Sequence, residues 1–190
     1  MALLSNDIIE LRAPEPEDLE VFYRWENDTE LWQYGVTLIP YSRYELKRYL
    51  SEAEHDIYQT GQVRFMIHDR VSGGAAGAVD LYDFDPHHRR AGVGILIDKA
   101  FRNQGLGRMA VSLVCEYAFL LLHLHQLFAH VPVPNAPSLA LFKKNGFAVT
   151  GVLKDWLATG TAYTDVYVMQ KTFNDSGCSA GTGRLVPHGK

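Results

Sequence analysis

The sequence holds only two cysteines, Cys115 and Cys178, in 190 residues. They show no paired spacing, which excludes a disulfide framework and a cysteine metal site and points to a reducing, cytoplasmic setting. No apolar run is long enough to span a bilayer. The N-terminus also lacks the charged-then-apolar order of a signal segment, so no membrane partner is expected. A basic excess is missing too: 18 Lys and Arg stand against 22 Asp and Glu, a formal net charge of −4. Nucleic-acid binders usually carry a basic stripe, whereas a mildly acidic chain suits a cationic small molecule. The histidines at 87, 88, 123, 125 and 130 fall on a turn, a helix end and a strand without ligand spacing, so no metal is expected. Two nucleotide signatures are absent as well. There is no P-loop Lys-Ser/Thr, and the one Gly-rich turn comes late in the chain, with no acid about 20 residues beyond it.

Apolar residues make up 47% of the chain, enough for one well-buried core. Residues 8–12 read as a first strand. Pro16 opens a helix to Asn27, with Glu17 and Asp18 in the turn where the helix dipole favours acids. Ser42 and Glu45 form a capping box before a helix predicted over 42–59, with Leu46, Tyr49, Leu50 and Ala53 on one face and Gly61 at its end. A hairpin spans 62–69 and 75–82, and a third strand spans 90–98. The pattern over 106–122 is helical and apolar on most faces. Residues 126–133 form a strand, and 135–145 form a helix with Asn135 as N-cap and Gly146 just past its end. The closing strands are 147–153 and 161–169. From Asn174 the composition turns to Gly, Ser, Thr and Asn, so the folded domain is 1–173 and 174–190 is a flexible tail.

Arg102-Asn103-Gln104-Gly105-Leu106-Gly107 is the segment with the most chemistry. It joins the apolar strand containing Val93, Gly94 and Ile95 to the long helix. A first helical turn has unpaired main-chain N–H groups and a positive dipole end, and glycine lets the backbone approach an anion. Arg102 adds a charged donor. This turn is expected to hold a pyrophosphate.

A second motif lies downstream: Asn135-Ala136-Pro137-Ser138, then Leu141-Phe142-Lys143-Lys144-Asn145-Gly146-Phe147. With the Arg-x-x-Gly-x-Gly turn before it, the chain resembles the GNAT superfamily of acetyl-CoA-dependent N-acetyltransferases over about 8–173. Val79-Asp80-Leu81-Tyr82, His88-Arg89-Arg90-Ala91 and Tyr163-Thr164-Asp165-Val166-Tyr167-Val168-Met169 look most like its spermidine/diamine branch. The ribosomal-protein N-terminal acetyltransferases share the broad layout. The resemblance implies an α/β (α+β) fold with a central, mostly antiparallel, splayed sheet and helices on both faces.

It also implies a site. Acetyl-CoA is the expected co-substrate, with its diphosphate on residues 102–107 and its amide arm along the strand edge at Val93, Gly94 and Ile95. Gly92 and Gly94 would ease a bulge there. Asn135 would bond an arm amide as well as cap its helix. Ser138 would reach the thioester side or serve only as a first-turn residue, and Lys143 would neighbour the 3′-phosphate. An alkylammonium, with a pKa near 10, must lose a proton before it attacks the thioester, whose oxyanion would meet a main-chain N–H of the 93–95 strand.

Asp80 matches an acid of the polyamine-acetylating relatives and is the first candidate for a substrate carboxylate; the alternative is a solvated acid on an outward strand face. Glu26 and Asp83 are further substrate candidates, although Asp83 and Asp85 also suit a turn. Trp32, Tyr34 and Tyr41 would line an amine pocket or simply pack their loop. Phe142 stands where many relatives carry a tyrosine that protonates the departing sulfur, and it reads best as core; Tyr163 is the candidate substitute. Where the polyamine group tends to have an acid, this chain has Gly92. The acceptor is therefore a polyamine or small diamine, or alternatively a protein α-amino group. A third possibility is an acyl-CoA sensor without turnover. The polyamine relatives assemble, so a homo-oligomer is expected.

Overall fold

A computed structural model of the chain describes residues 3–32, 39–52 and 56–173. Alternating apolar positions build seven strands: β1 (Ile9–Arg12), β2 (Val63–Asp69), β3 (Gly74–Asp85), β4 (Arg90–Ile97), β5 (Gln126–Pro132), β6 (Ala148–Thr159) and β7 (Ala162–Thr172). They form one sheet in the order β1-β2-β3-β4-β5-β7-β6. Each neighbouring pair is antiparallel except β4 with β5. Among the described residues six α-helices accompany them: α1 (Leu19–Glu26), α2 (Thr29–Trp32), α3 (Arg43–Glu52), α4 (Ile57–Thr60), α5 (Leu106–Glu116) and α6 (Ala136–Lys144).

The pleat divides the sheet into two faces. Val79, Leu81, Ala91, Val93, Leu127 and Ala129 pack with Ala110, Val111 and Val114 of α5 in the larger core. On the other face Met66, Ala78 and Leu96 pack with Phe22 and Trp25 of α1 and Leu46 and Leu50 of α3. Fully burying one such side chain is worth about 1.5–3 kcal/mol, so both helix layers are firmly held.

Several elements differ from the sequence reading. The helix expected over 42–59 is α3 followed by α4, because the Asp56 carboxylate accepts from the Tyr58 N–H at 2.9 Å and caps a new helix. Gly61 ends it at φ 70°, as expected. Ala53, Tyr34, Cys178 and the expected tail at 174–190 lie outside the described residues. The long helix ends as α5 at Glu116 and widens into a π turn over Tyr117–Leu121. Strands β6 and β7 run on past 153 and begin near 162, with a register shift between Leu153 and Leu157 and Asp155 at φ 50°. The β3–β4 ladder shifts between Tyr82 and Asp85, opposite the stretch from Gly92 to Arg90, so the irregularity borders Gly92 and leaves Gly94 in regular register.

The junction of β4 with β5 positions the site. Among the described residues the two strands pair only at Arg90 with Gln126, Ala91 with Leu127 and Gly92 with Phe128. Beyond those rows they diverge. Asp98 donates its N–H to Ala76 O at 2.9 Å, in register with the β3–β4 ladder. Antiparallel bonding alternates, so Leu96, Gly94 and Gly92 bond β3 while Val93, Ile95 and Ile97 turn their main-chain groups towards the gap. The same count from Val133 N–H to Asp165 O (3.0 Å) turns His130 of β5 towards the gap from the other side. The result is a V-shaped slot lined by unpaired strand edges.

Candidate active site

The mouth of the slot is the 98–107 turn. Asp98 caps the short 3₁₀ turn Lys99–Phe101 by accepting from Ala100 N–H at 3.0 Å. Arg102 Nε donates to Ile97 O at 3.1 Å, and Gln104 Nε2 donates to Ala100 O at 3.1 Å. Asn103 (φ 62°) and Gly105 (φ 80°) both take left-handed conformations and aim the chain into α5. Gly105 is the N-cap, and no side chain caps the first turn. The N–H groups of that turn are therefore left for an anion.

The two glycines have different jobs. A Cβ on Gly105 would meet nothing closer than Met109 Cε at 3.8 Å, so this face is open. A Cβ on Gly107 would lie 2.8 Å from Leu141 Cδ1 and 3.3 Å from Ile97 Cγ1. Gly107 thus serves helix packing, and it brings the C-terminal half of α6, with exposed Lys143, to the start of α5. Gly105→Ala is expected to strain the turn by about 1–2 kcal/mol, to lower the melting temperature by about 2–5 °C and to weaken coenzyme A about tenfold. Calorimetry with coenzyme A checks this; unchanged affinity would move the diphosphate seat elsewhere.

At the far end of β5, Asn135 Oδ1 accepts from Ser138 N–H at 3.2 Å and caps α6. This is the cap expected from sequence, and it uses the side-chain oxygen rather than the amide NH2. Ser138 sits half-buried in the first turn of α6. Phe142 is buried and meets Phe147 edge-on at 5.1 Å, the core position expected for it. Cys115 is equally buried, and burial pushes its thiol up to about 11, which makes it inert.

The acids gather on the face covered by α1 and α3. Asp80 pairs across the ladders with Arg64 on one side and Gly94 on the other. Arg64 Nε and Nη2 donate to the two Asp80 oxygens at 2.8 and 3.0 Å, and Arg64 Nη1 donates to Glu26 Oε1 at 3.1 Å. Burial alone would lower the Arg64 pKa, but Asp80 and Glu26 outweigh it and hold the guanidinium well above its ordinary value. Asp80, the candidate substrate carboxylate, is thus ion-paired with Arg64 rather than simply solvated on an outward strand face. Tyr49 lies close enough to feel the same charges. Asp83 is exposed at φ 48° on the irregular stretch of β3 and takes no part in this cluster. Tyr163, 66% exposed, stands opposite Ala158 before β7 begins to pair with β5, and it takes no part either. Trp32 donates its ring N–H to Glu26 O at 2.7 Å.

A clamp that sequence reasoning missed joins this face to the mouth of the slot. Asp98 accepts from Trp25 Nε1 (2.8 Å) and from Arg24, while Lys99 pairs with Asp28 (3.1 Å) and Glu30 (2.8 Å). Arg24, Trp25, Asp28, Asp98 and Lys99 border an open cleft of about 550 Å³ beside Arg102. Among the described residues, no group of three or more His, Cys, Asp or Glu is placed to hold a metal. No helix there is long and apolar enough to cross a membrane.

A family model described as an acetyltransferase (GNAT) domain matches residues 9–148. The chain belongs to the GNAT acetyltransferase family. It is 27% identical over 172 residues to the spermidine N(1)-acetyltransferase of Vibrio cholerae, covering 88% of this chain and 96% of that one. It is 30% identical over 150 residues to the Escherichia coli K12 spermidine N(1)-acetyltransferase, covering 78% and 77%. A crystal structure of the Vibrio cholerae enzyme in complex with CoA and spermine superposes with a TM-score of 0.77 at 27% identity, over 88% of this chain and 96% of that one. A putative ribosomal N-acetyltransferase of Bacillus subtilis, YdaF, is 26% identical over 176 residues, covering 85% and 89%. As a GNAT protein this chain is an N-acetyltransferase with acetyl-CoA as its acetyl donor.

Proposed function

We propose that the acceptor is a polyamine or small diamine, acetylated on a primary amine. The observation that carries this reading is the Glu26–Arg64–Asp80 cluster. Two acids share one guanidinium beside the slot, which leaves a net negative charge where an alkylammonium would approach. The Vibrio cholerae and Escherichia coli relatives, named for spermidine, point the same way.

Within this reading, acetyl-CoA supplies an activated acyl group on a good leaving thiolate. Residues 102–107 hold the diphosphate through main-chain N–H groups and Arg102, and Lys143 attracts the 3′-phosphate. The unpaired edge at Val93 and Ile95 pairs with the pantetheine amides and offers an N–H to the carbonyl oxygen. Asn135 and Ser138 border the same slot from α6. Glu26 and Asp80, through their shared guanidinium, set the potential that draws in the amine; a water passes its proton to solvent. Phe142 adds no hydroxyl. The protein works as a homo-oligomer, in keeping with a Vibrio cholerae relative described as dodecameric and superposing at a TM-score of 0.73. Exposed Val149, Val152 and Trp156 on the outer strand β6 suit such assembly.

Thiol release from acetyl-CoA with spermidine, spermine, putrescine and N-terminal peptides tests the acceptor. The expected result is turnover with the polyamines and at least tenfold lower kcat/KM with the peptides. The reverse order would favour the protein α-amino group, the reading that the likeness to YdaF supports. Coenzyme A binding without turnover of any amine would leave a sensor.

A further inference from the structure

Gly92 marks the row where β4 and β5 part, and the space above it is filled from another strand. A Cβ on Gly92 would fall 2.4 Å from Cε2 and Cζ of the Tyr82 ring. Tyr82 of β3 pairs with Gly92, which pairs with Phe128 of β5, so the three lie in one row across three strands. The Tyr82 ring crosses Gly92 and meets Phe128 edge-on at 5.7 Å, and Phe128 in turn lies 5.4 Å from His130. Through Phe128 the Tyr82 ring thus sits one ring away from His130, the residue that β5 turns towards the slot. A side chain from β3 therefore spans β4 and ends at the apex of the wedge.

We propose that Tyr82 is the hydroxyl of the transfer centre, donating a hydrogen bond to the sulfur of the departing coenzyme A. The proposal rests on the acetyl-CoA site argued above. The geometry favours donation. The row that Tyr82 shares with Gly92 and Phe128 sets its ring at the parting of β4 and β5, and the apex is the part of the slot into which the hydroxyl proton can point. Burial, aided by the charge of Asp83, pushes the phenol up to about 12 despite the opposing His130 contact. It stays protonated at neutral pH and is a donor rather than a base. As the nitrogen–carbon bond forms and the carbon–sulfur bond breaks, the electron pair passes to sulfur. Tyr82 stabilises that charge by hydrogen bonding, while the amine proton leaves through water. A thiolate of pKa near 8.5 departs without full protonation. Gly92 is then the residue that makes room for this ring, and Phe142 is free to be core.

Tyr82→Phe keeps the ring on Gly92 and against Phe128 and removes only the hydroxyl. Two measurements are made on wild type and variant. The first is kcat with the best amine, alongside coenzyme A affinity by calorimetry and the melting temperature. The expected result is a fall in kcat of about thirtyfold with affinity within twofold and an unchanged melting temperature. The second needs no amine: the thiol of bound coenzyme A, followed by its ultraviolet thiolate band, should ionise at lower pH in wild type than in Tyr82→Phe.

An unchanged thiol titration overturns the proposal. So does a kcat within threefold of wild type, or a rate loss matched by lost coenzyme A affinity, which would make Tyr82 a brace only. If the thiol titrations differ but no amine is acetylated, the acceptor reading fails while the role of Tyr82 stands.

Discussion

Gly77→Ala is expected to destabilise the protein by about 4 kcal/mol and to lower its melting temperature by about 10 °C. Gly77 lies in the centre of the sheet, opposite Ile67 of β2 and Ile97 of β4. A Cβ there would sit 2.1 Å from Leu96 O and 3.1 Å from Ile97 Cα. Those are main-chain atoms, so no rotamer change relieves the clash. Either the β3–β4 ladder opens or β4 moves as a whole. Movement of β4 would carry Ile97, and with it the carbonyl that holds Arg102. Coenzyme A affinity should therefore fall along with stability, and a substrate-saturated melting curve should not recover the wild-type value. Differential scanning calorimetry of both proteins, with and without coenzyme A, makes the comparison. A variant melting within 2 °C of wild type would mean that the sheet centre yields far more easily than its geometry indicates.

What sequence could and could not reveal follows from the range of each interaction. The Arg102–Gly107 turn, the Ser42/Glu45 capping box and the Asn135 cap are local, made by residues within five positions of one another, and each was legible. The slot itself followed from resemblance rather than from residue pattern, because divergence of β4 from β5 depends on which ladder bonds are not made. Gly77 carries no local signal, since its requirement comes from a strand about 20 residues away. Gly92 was read as an aid to a bulge. Its neighbour is the ring of Tyr82, and only the β3–β4 register places that ring over it. Arg64 had a fainter signal: it is a cation on the α1 and α3 side of an alternating strand, in step with Asp80. Reading that pair needed the β2–β3 register, which the bulge between Ile67 and His68 shifts. Strand β6 runs past the expected end at 153 because Asp155 takes its left-handed conformation within the strand and Lys154 pairs with Asp165 at 2.7 Å.

The second large effect is expected at Arg64. Replacing it with methionine keeps the length of the side chain and removes the charge that Glu26 and Asp80 share. Two carboxylates are then left close together and more than two-thirds covered, without their cation. Removing one partner of a fully buried pair costs about 3–5 kcal/mol, and partial exposure here lowers the expectation to about 2–3 kcal/mol at pH 7.

A cationic acceptor should repair the same defect. If polyamines lie against Glu26 and Asp80, spermidine supplies the missing positive charge, and it should raise the melting temperature of Arg64→Met by several degrees more than that of wild type. Equal shifts in the two proteins would place the amine away from this pair and return the acceptor question to the peptide reading. A variant as stable as wild type at pH 7 would show that solvent screens the two acids without help from Arg64.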